Sequence, residues 1–108
     1  MIPDEELYDA IAVAIRKKID SWDESYGHRE YDDGRVLLTV DVEYDTITAE
    51  FTLTCTTSER EDYIYACGYA DYTYEYTISS LDYIDVEWVT DEDGVEYEVD
   101  LDEIWKRL

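Results

Sequence analysis

The sequence predicts an α+β fold: a long N-terminal helix, about five mainly antiparallel strands and a short C-terminal helix, with the helices packed on one sheet face. Three observations carry that expectation. Apolar residues recur at helical spacing near both ends, and strict apolar/polar alternation fills the stretch between them. The chain is also 45% hydrophobic and 15% aromatic with one proline and four glycines, which argues against disorder despite a formal net charge of −22. At 108 residues it reads as one acidic domain, 1–108, able to bury roughly two thirds of its unfolded surface.

The first helix is expected from near Pro3 to near Trp22. Proline suits the first helical position, Asp4, Glu5 and Glu6 complement the positive helix end, and Arg16, Lys17 and Lys18 lie late, where cations are favoured. Leu7, Ala10, Ile11, Ala14, Ile15, Ile19 and Trp22 form its apolar stripe, whose simplest use is to cover a one-sided sheet. Residues 23–34 are polar, hold two glycines and show no periodicity, so a loop ending in an Asp-Gly turn is expected. The sole histidine, His28, lies in that loop and reads as a solvated side chain rather than a ligand or base.

A strand follows in which Val36, Leu38, Val40, Val42 and Tyr44 alternate with Leu37, Thr39, Asp41 and Glu43. A tight turn then leads to the clearest strand of the chain, in which Ile47, Ala49, Phe51, Leu53 and Cys55 alternate with Thr48, Glu50, Thr52, Thr54 and Thr56. Next come a hairpin centred near Glu61 and a third strand beginning at Tyr63, a register that places Cys55 opposite Cys67. Two buried reduced thiols fit the intracellular location expected here, and a disulfide between Cys55 and Cys67 stays open. Face parity then changes from Tyr63, Tyr65, Cys67 and Tyr69 to Tyr72, Tyr74, Tyr76 and Ile78, which predicts a bulge between Gly68 and Asp71.

Ile84, Val86 and Trp88, alternating with Asp85, Glu87 and Val89, predict a fourth strand. Val95, Tyr97 and Val99 beyond the Asp93-Gly94 turn predict a fifth. Asp100 as cap, Glu103 three residues on, and the face Leu101, Ile104, Trp105 and Leu108 predict a terminal helix docked beside the first.

Function classes are narrowed mainly by what the residues cannot do. The start of the chain has neither a basic nor an apolar leader region, no run of about eighteen apolar residues exists, and a cytoplasmic location is expected. Two cysteines and one histidine are too few for a zinc site, and a calcium loop aligned on Gly94 puts Val89 at its first ligand position. No metal or cofactor is expected. With no phosphate loop and no basic clamp, an enzyme is not expected either. A tyrosine platform for single-stranded nucleic acid needs positive charge, yet between Val36 and Trp105 Arg60 is the one basic residue. Direct binding to nucleic acid or to an anionic membrane is opposed by like charge.

The charge itself is the remaining clue, because a net charge of about 2 to 8 suffices for solubility in a small domain. Glu50, Glu75, Asp85, Glu87, Asp91, Glu92, Asp93, Glu96 and Glu98 are the expected acidic binding surface. Carboxylates at every second strand position recur about 6.6 Å apart, close to the roughly 7 Å phosphate spacing along a DNA strand. In charge and size the chain resembles DNA-mimic inhibitors that occupy the basic groove of a nucleic-acid-binding protein, and no motif adds to that resemblance. The alternative is an adaptor or structural protein that binds a partner, or a second copy, through a tyrosine-rich face including Tyr72, Tyr74 and Tyr76.

Overall fold

The computed structural model describes residues 4–66 and 68–108. In order it contains helix α1 (Asp4–Ser21), strands β1 (Asp23–Tyr26), β2 (Arg35–Tyr44), β3 (Ile47–Ala66) and β4 (Tyr69–Thr90), and helix α2 (Leu101–Lys106). The strands form one antiparallel sheet in the order β1-β4-β3-β2.

The alternation in β3 dictates the core. Ile47, Ala49, Phe51, Leu53 and Cys55 all point to one side and are buried. Leu38, Val40 and Val42 of β2 lie directly opposite Leu53, Phe51 and Ala49 and add a second buried row. The reversal between these strands needs only Asp45 and Thr46, and Asp45 adopts the left-handed conformation that short polar residues tolerate (φ 53°). Leu7, Ile11 and Ile15 of α1 join the same cluster, so the helix stripe has the use its spacing implies.

Asp100 caps α2 by accepting from the Asp102 amide at 3.0 Å. Glu103 does not reach back to the cap; it pairs forward with Arg107 at 2.9 Å and Lys106 at 3.1 Å. These contacts, the Arg107 hydrogen bond foremost, hold its carboxyl below the usual carboxylate range. Arg107 also bonds Asp9 at 3.0 Å and lies over the Tyr8 ring at 5.4 Å, while buried Ile104 reaches the main cluster. The terminal helix is thereby tied to α1.

Several expected features are corrected. Among the described residues there are four strands: the anticipated third is divided, Tyr63–Ala66 ending β3, and its remainder is continuous with the anticipated fourth in the 22-residue β4. The residues around Val95 make a single bridge, Thr90 to Glu96, instead of a fifth strand. The hairpin expected at Glu61 turns at Gly68 (φ 83°), so Cys55 faces Leu81; Cys67 lies outside the described residues. The expected bulge between Gly68 and Asp71 is replaced by three register shifts farther along, which leave Ser79, Asp82 and Glu87 of β4 unpaired. Each extra residue flips the face, so Tyr76, Ile78, Leu81, Ile84, Val86 and Val89 all share the inner side although their numbering parity changes. Val89, expected outward, is therefore buried.

The expected loop over residues 23–34 contains β1, whose Asp23–Tyr26 pair with Thr77–Tyr74 of β4. Its inward Tyr26 meets Tyr31 and Tyr76 in edge contacts with centroids 6.1 Å apart, and Tyr31 also meets Tyr76 at 5.0 Å and Trp22 at 5.8 Å. This makes a small aromatic cluster joined to the aliphatic core through Trp22, which packs against both. Fully buried Tyr76 donates its hydroxyl to Glu59 at 3.1 Å and accepts from the Glu30 amide at 3.0 Å. Burial, followed by the nearby charge of Glu24, raises the Tyr31 pKa above its ordinary value.

Beyond these supports β3 and β4 continue alone. Among the described residues, pairs from Asp62 opposite Thr73 to Ala66 opposite Tyr69 have no third strand beside them. A 20-residue strand at about 3.3 Å per residue accounts for the long dimension of the 65 × 23 × 19 Å molecule.

Candidate functional site

Because β3 buries its odd-numbered side chains, its even-numbered ones build the sheet's solvent face, and pairing extends that face across the neighbouring strands. Glu43, Thr48, Thr90 and Glu96 form one cross-strand row, Asp41, Glu50 and Trp88 the next, and Thr39, Thr52 and Asp85 a third. Rows on one face are about 6.6 Å apart and neighbouring strands about 4.8 Å apart. The bulged residues add two more carboxylates: Glu87 accepts from the Thr52 hydroxyl at 2.8 Å and Asp82 from the Thr56 hydroxyl at 2.5 Å. Threonine thus fills the middle of the face and orients the acids around it.

Among the described residues, none of Asp41, Glu43, Glu50, Asp82, Asp85, Glu87 and Glu96 forms an ion pair. Of the basic residues on this face of the strands, Arg35 is in the row of Thr56 and Ser80, and Arg60 lies opposite Glu75, ion-paired with Asp62 at 3.2 Å. The carboxylates therefore project their charge outward, and each adds to the potential of the others.

The expected acidic residues separate into groups. Glu50, Asp85, Glu87 and Glu96 share the face just described, while Glu75 stands away from it, between Arg60 and Ser25. Asp91 is committed to its own turn: Oδ1 accepts from the amides of Asp93 at 2.9 Å and Val95 at 3.0 Å. Glu92 and Asp93 are exposed on that turn. Glu98 joins Val86, Glu87, Trp88, Glu96 and Tyr97 along a shallow groove of about 350 Å³. Asp41 and Glu43 escaped the sequence reading although they alternate with buried Val40 and Val42, a readable signal. Asp82 had no such signal, since its position depends on a bulge.

The three expected tyrosines also part company. Tyr76 is buried and drops out of any exposed aromatic face. Tyr72 is 45% exposed and meets Tyr63, 57% exposed, edge-on at 5.2 Å; Tyr74 lies half-buried under the Arg29 guanidinium at 5.9 Å. The remaining chemistry is sparse. His28 is exposed and bonds Glu30 at 2.9 Å, and no cluster of metal-binding side chains occurs among the described residues. Burial, reinforced by the charge of Asp82, pushes the Cys55 thiol up to about 11, which keeps it protonated and unreactive at neutral pH. Among the described residues no helix is long and apolar enough to cross a membrane. Comparison with known proteins yields no family model, no curated protein and no solved structure that matches this chain.

Proposed function

We propose that this chain is a non-enzymatic acidic protein-binding module that occupies the basic groove of a nucleic-acid-binding protein, in the manner of a DNA mimic. The observation that carries this reading is the unpaired carboxylate field on the outer sheet face. A net charge of −22 spread over a 65 Å long axis amounts to about 3 Å per charge. A DNA strand carries one per roughly 3.4 Å. The partner presents clustered Lys and Arg, and association is fast and salt-sensitive because the charges steer it.

The test is affinity capture from cell lysate at low and high salt, with excess duplex DNA as competitor. Capture of nucleic-acid-binding proteins that both salt and DNA displace is the expected result, and replacing Glu50, Asp85 and Glu87 by their amides weakens it about tenfold or more. Capture of none of them at low salt refutes the proposal. The alternative, an adaptor binding a partner or a second copy through its tyrosines, is favoured by the exposed Tyr63–Tyr72 pair. It calls for salt-resistant binding that DNA does not compete.

A further inference from the structure

The ribbon's inner face repeats a carboxylate–tyrosine pattern, and one copy of the pattern already holds an arginine. Arg29 places Nε 3.3 Å from Glu59 while its guanidinium sits over the Tyr74 ring. In the strand register Glu59 is opposite Tyr76, so its tyrosine partner Tyr74 is the diagonal neighbour, one inner-face row farther toward the turn. Shifting the pair by one row gives Glu61, opposite Tyr74, with Tyr72 as the diagonal neighbour. Glu61 is exposed, and among the described residues it forms no ion pair and no cation lies over Tyr72. β1 ends at Tyr26, in the row of Tyr74 and Glu61, so that strand stops short of Tyr72.

We infer that Glu61 and Tyr72, backed by Tyr63, form a second guanidinium site and that an arginine side chain of the basic partner fills it. This rests on the proposed acidic binding function and adds to its outer-face carboxylates a contact on the inner face, beyond the end of β1. Arginine is the fitting occupant because its planar group can stack on a ring while its fork donates to a carboxylate, and Arg29 here combines a ring contact with an ion pair to Glu59; a lysine ammonium offers one compact charge instead. Glu59 is steadied by the Tyr76 hydroxyl, whereas no such hydrogen bond fixes Glu61 among the described residues, so the second site is looser and each group contributes modestly.

The experiment compares octa-arginine and octa-lysine peptides binding to the full chain at low salt. The native protein is expected to prefer octa-arginine. Tyr72→Leu and Glu61→Gln are each expected to weaken it about threefold and to erode the preference, while Tyr72→Phe, which keeps the ring, binds as the native chain does. Glu5→Gln, an equal change in charge on α1, is the control and is expected to have less effect than Glu61→Gln. Equal binding of both peptides, Tyr72→Leu matching Tyr72→Phe, or Glu61→Gln matching Glu5→Gln overturns the site. So does sedimentation showing that Tyr63 and Tyr72 serve self-association without arginine preference. If DNA-competable capture persists when these variants show no specific effect, the site fails and the broader function stands. If arginine preference persists while no nucleic-acid-binding protein is captured, the site stands and the broader function fails.

Discussion

Residues 47–56 and 62–66 belong to one strand, yet they live in different physical surroundings. The first stretch lies between β2 and β4, with its odd-numbered side chains in the cluster that α1 joins. The second has, among the described residues, β4 as its only strand neighbour. An isolated two-stranded ribbon is marginal in water, whereas added strands and a covering helix supply apolar burial. A continuous strand therefore does not imply uniform stability along its length. The body is expected to open only with the whole fold, and the ribbon to open locally.

The largest expected effect comes from breaking the body. Phe51→Ala removes a fully buried ring and should cost about 3–5 kcal/mol, whereas Tyr63→Ala on the ribbon should stay within about 0.5 kcal/mol. Urea denaturation of the two variants checks the contrast, and similar losses would mean that the ribbon is integral to the body. Hydrogen exchange sharpens it without mutation. Ladder amides near Leu53 should be protected about a hundredfold more than those near Tyr63 and Thr73.

A smaller effect should appear at alkaline pH, again only in the body. The folded Cys55 pKa of about 11 exceeds its ordinary value of 9.0, so folding favours the protonated thiol. Its contribution to stability is complete below about pH 9 and is lost as pH rises toward 11. The urea midpoint of the native chain should consequently fall more steeply over that range than that of Cys55→Ala. Tyr31 and Tyr44, whose pKa values are also raised, are present in both proteins and cancel in the comparison.

Much of the body was legible because its signals are local. Leu7, Ile11 and Ile15 announce a helix face, Ile47 through Cys55 announce a buried strand face, and Asp100 announces a cap. The acidic face was legible in part, through residues such as Glu50 and Asp85 that alternate with apolar neighbours. The strand in residues 23–34 was hidden because Asp23–Tyr26 is short and polar, and its pairing with β4 involves residues about fifty positions away. The fate of Tyr76 was hidden for a related reason: its burial requires Tyr26 and Tyr31 to arrive from that segment.

By itself, then, the sequence determined the helices, the alternating strands and the excess of negative charge, since each follows from the order of neighbouring residues. Tertiary structure decided that one long ribbon replaces two separate strands, where Ser79, Asp82 and Glu87 interrupt the register, and which carboxylates and tyrosines meet. A bulge is defined by the residue it lacks on the opposite strand, and that partner is chosen by hydrogen bonding between distant segments. Once three such interruptions accumulate, counting odd and even positions along β4 cannot say which side chains face the core.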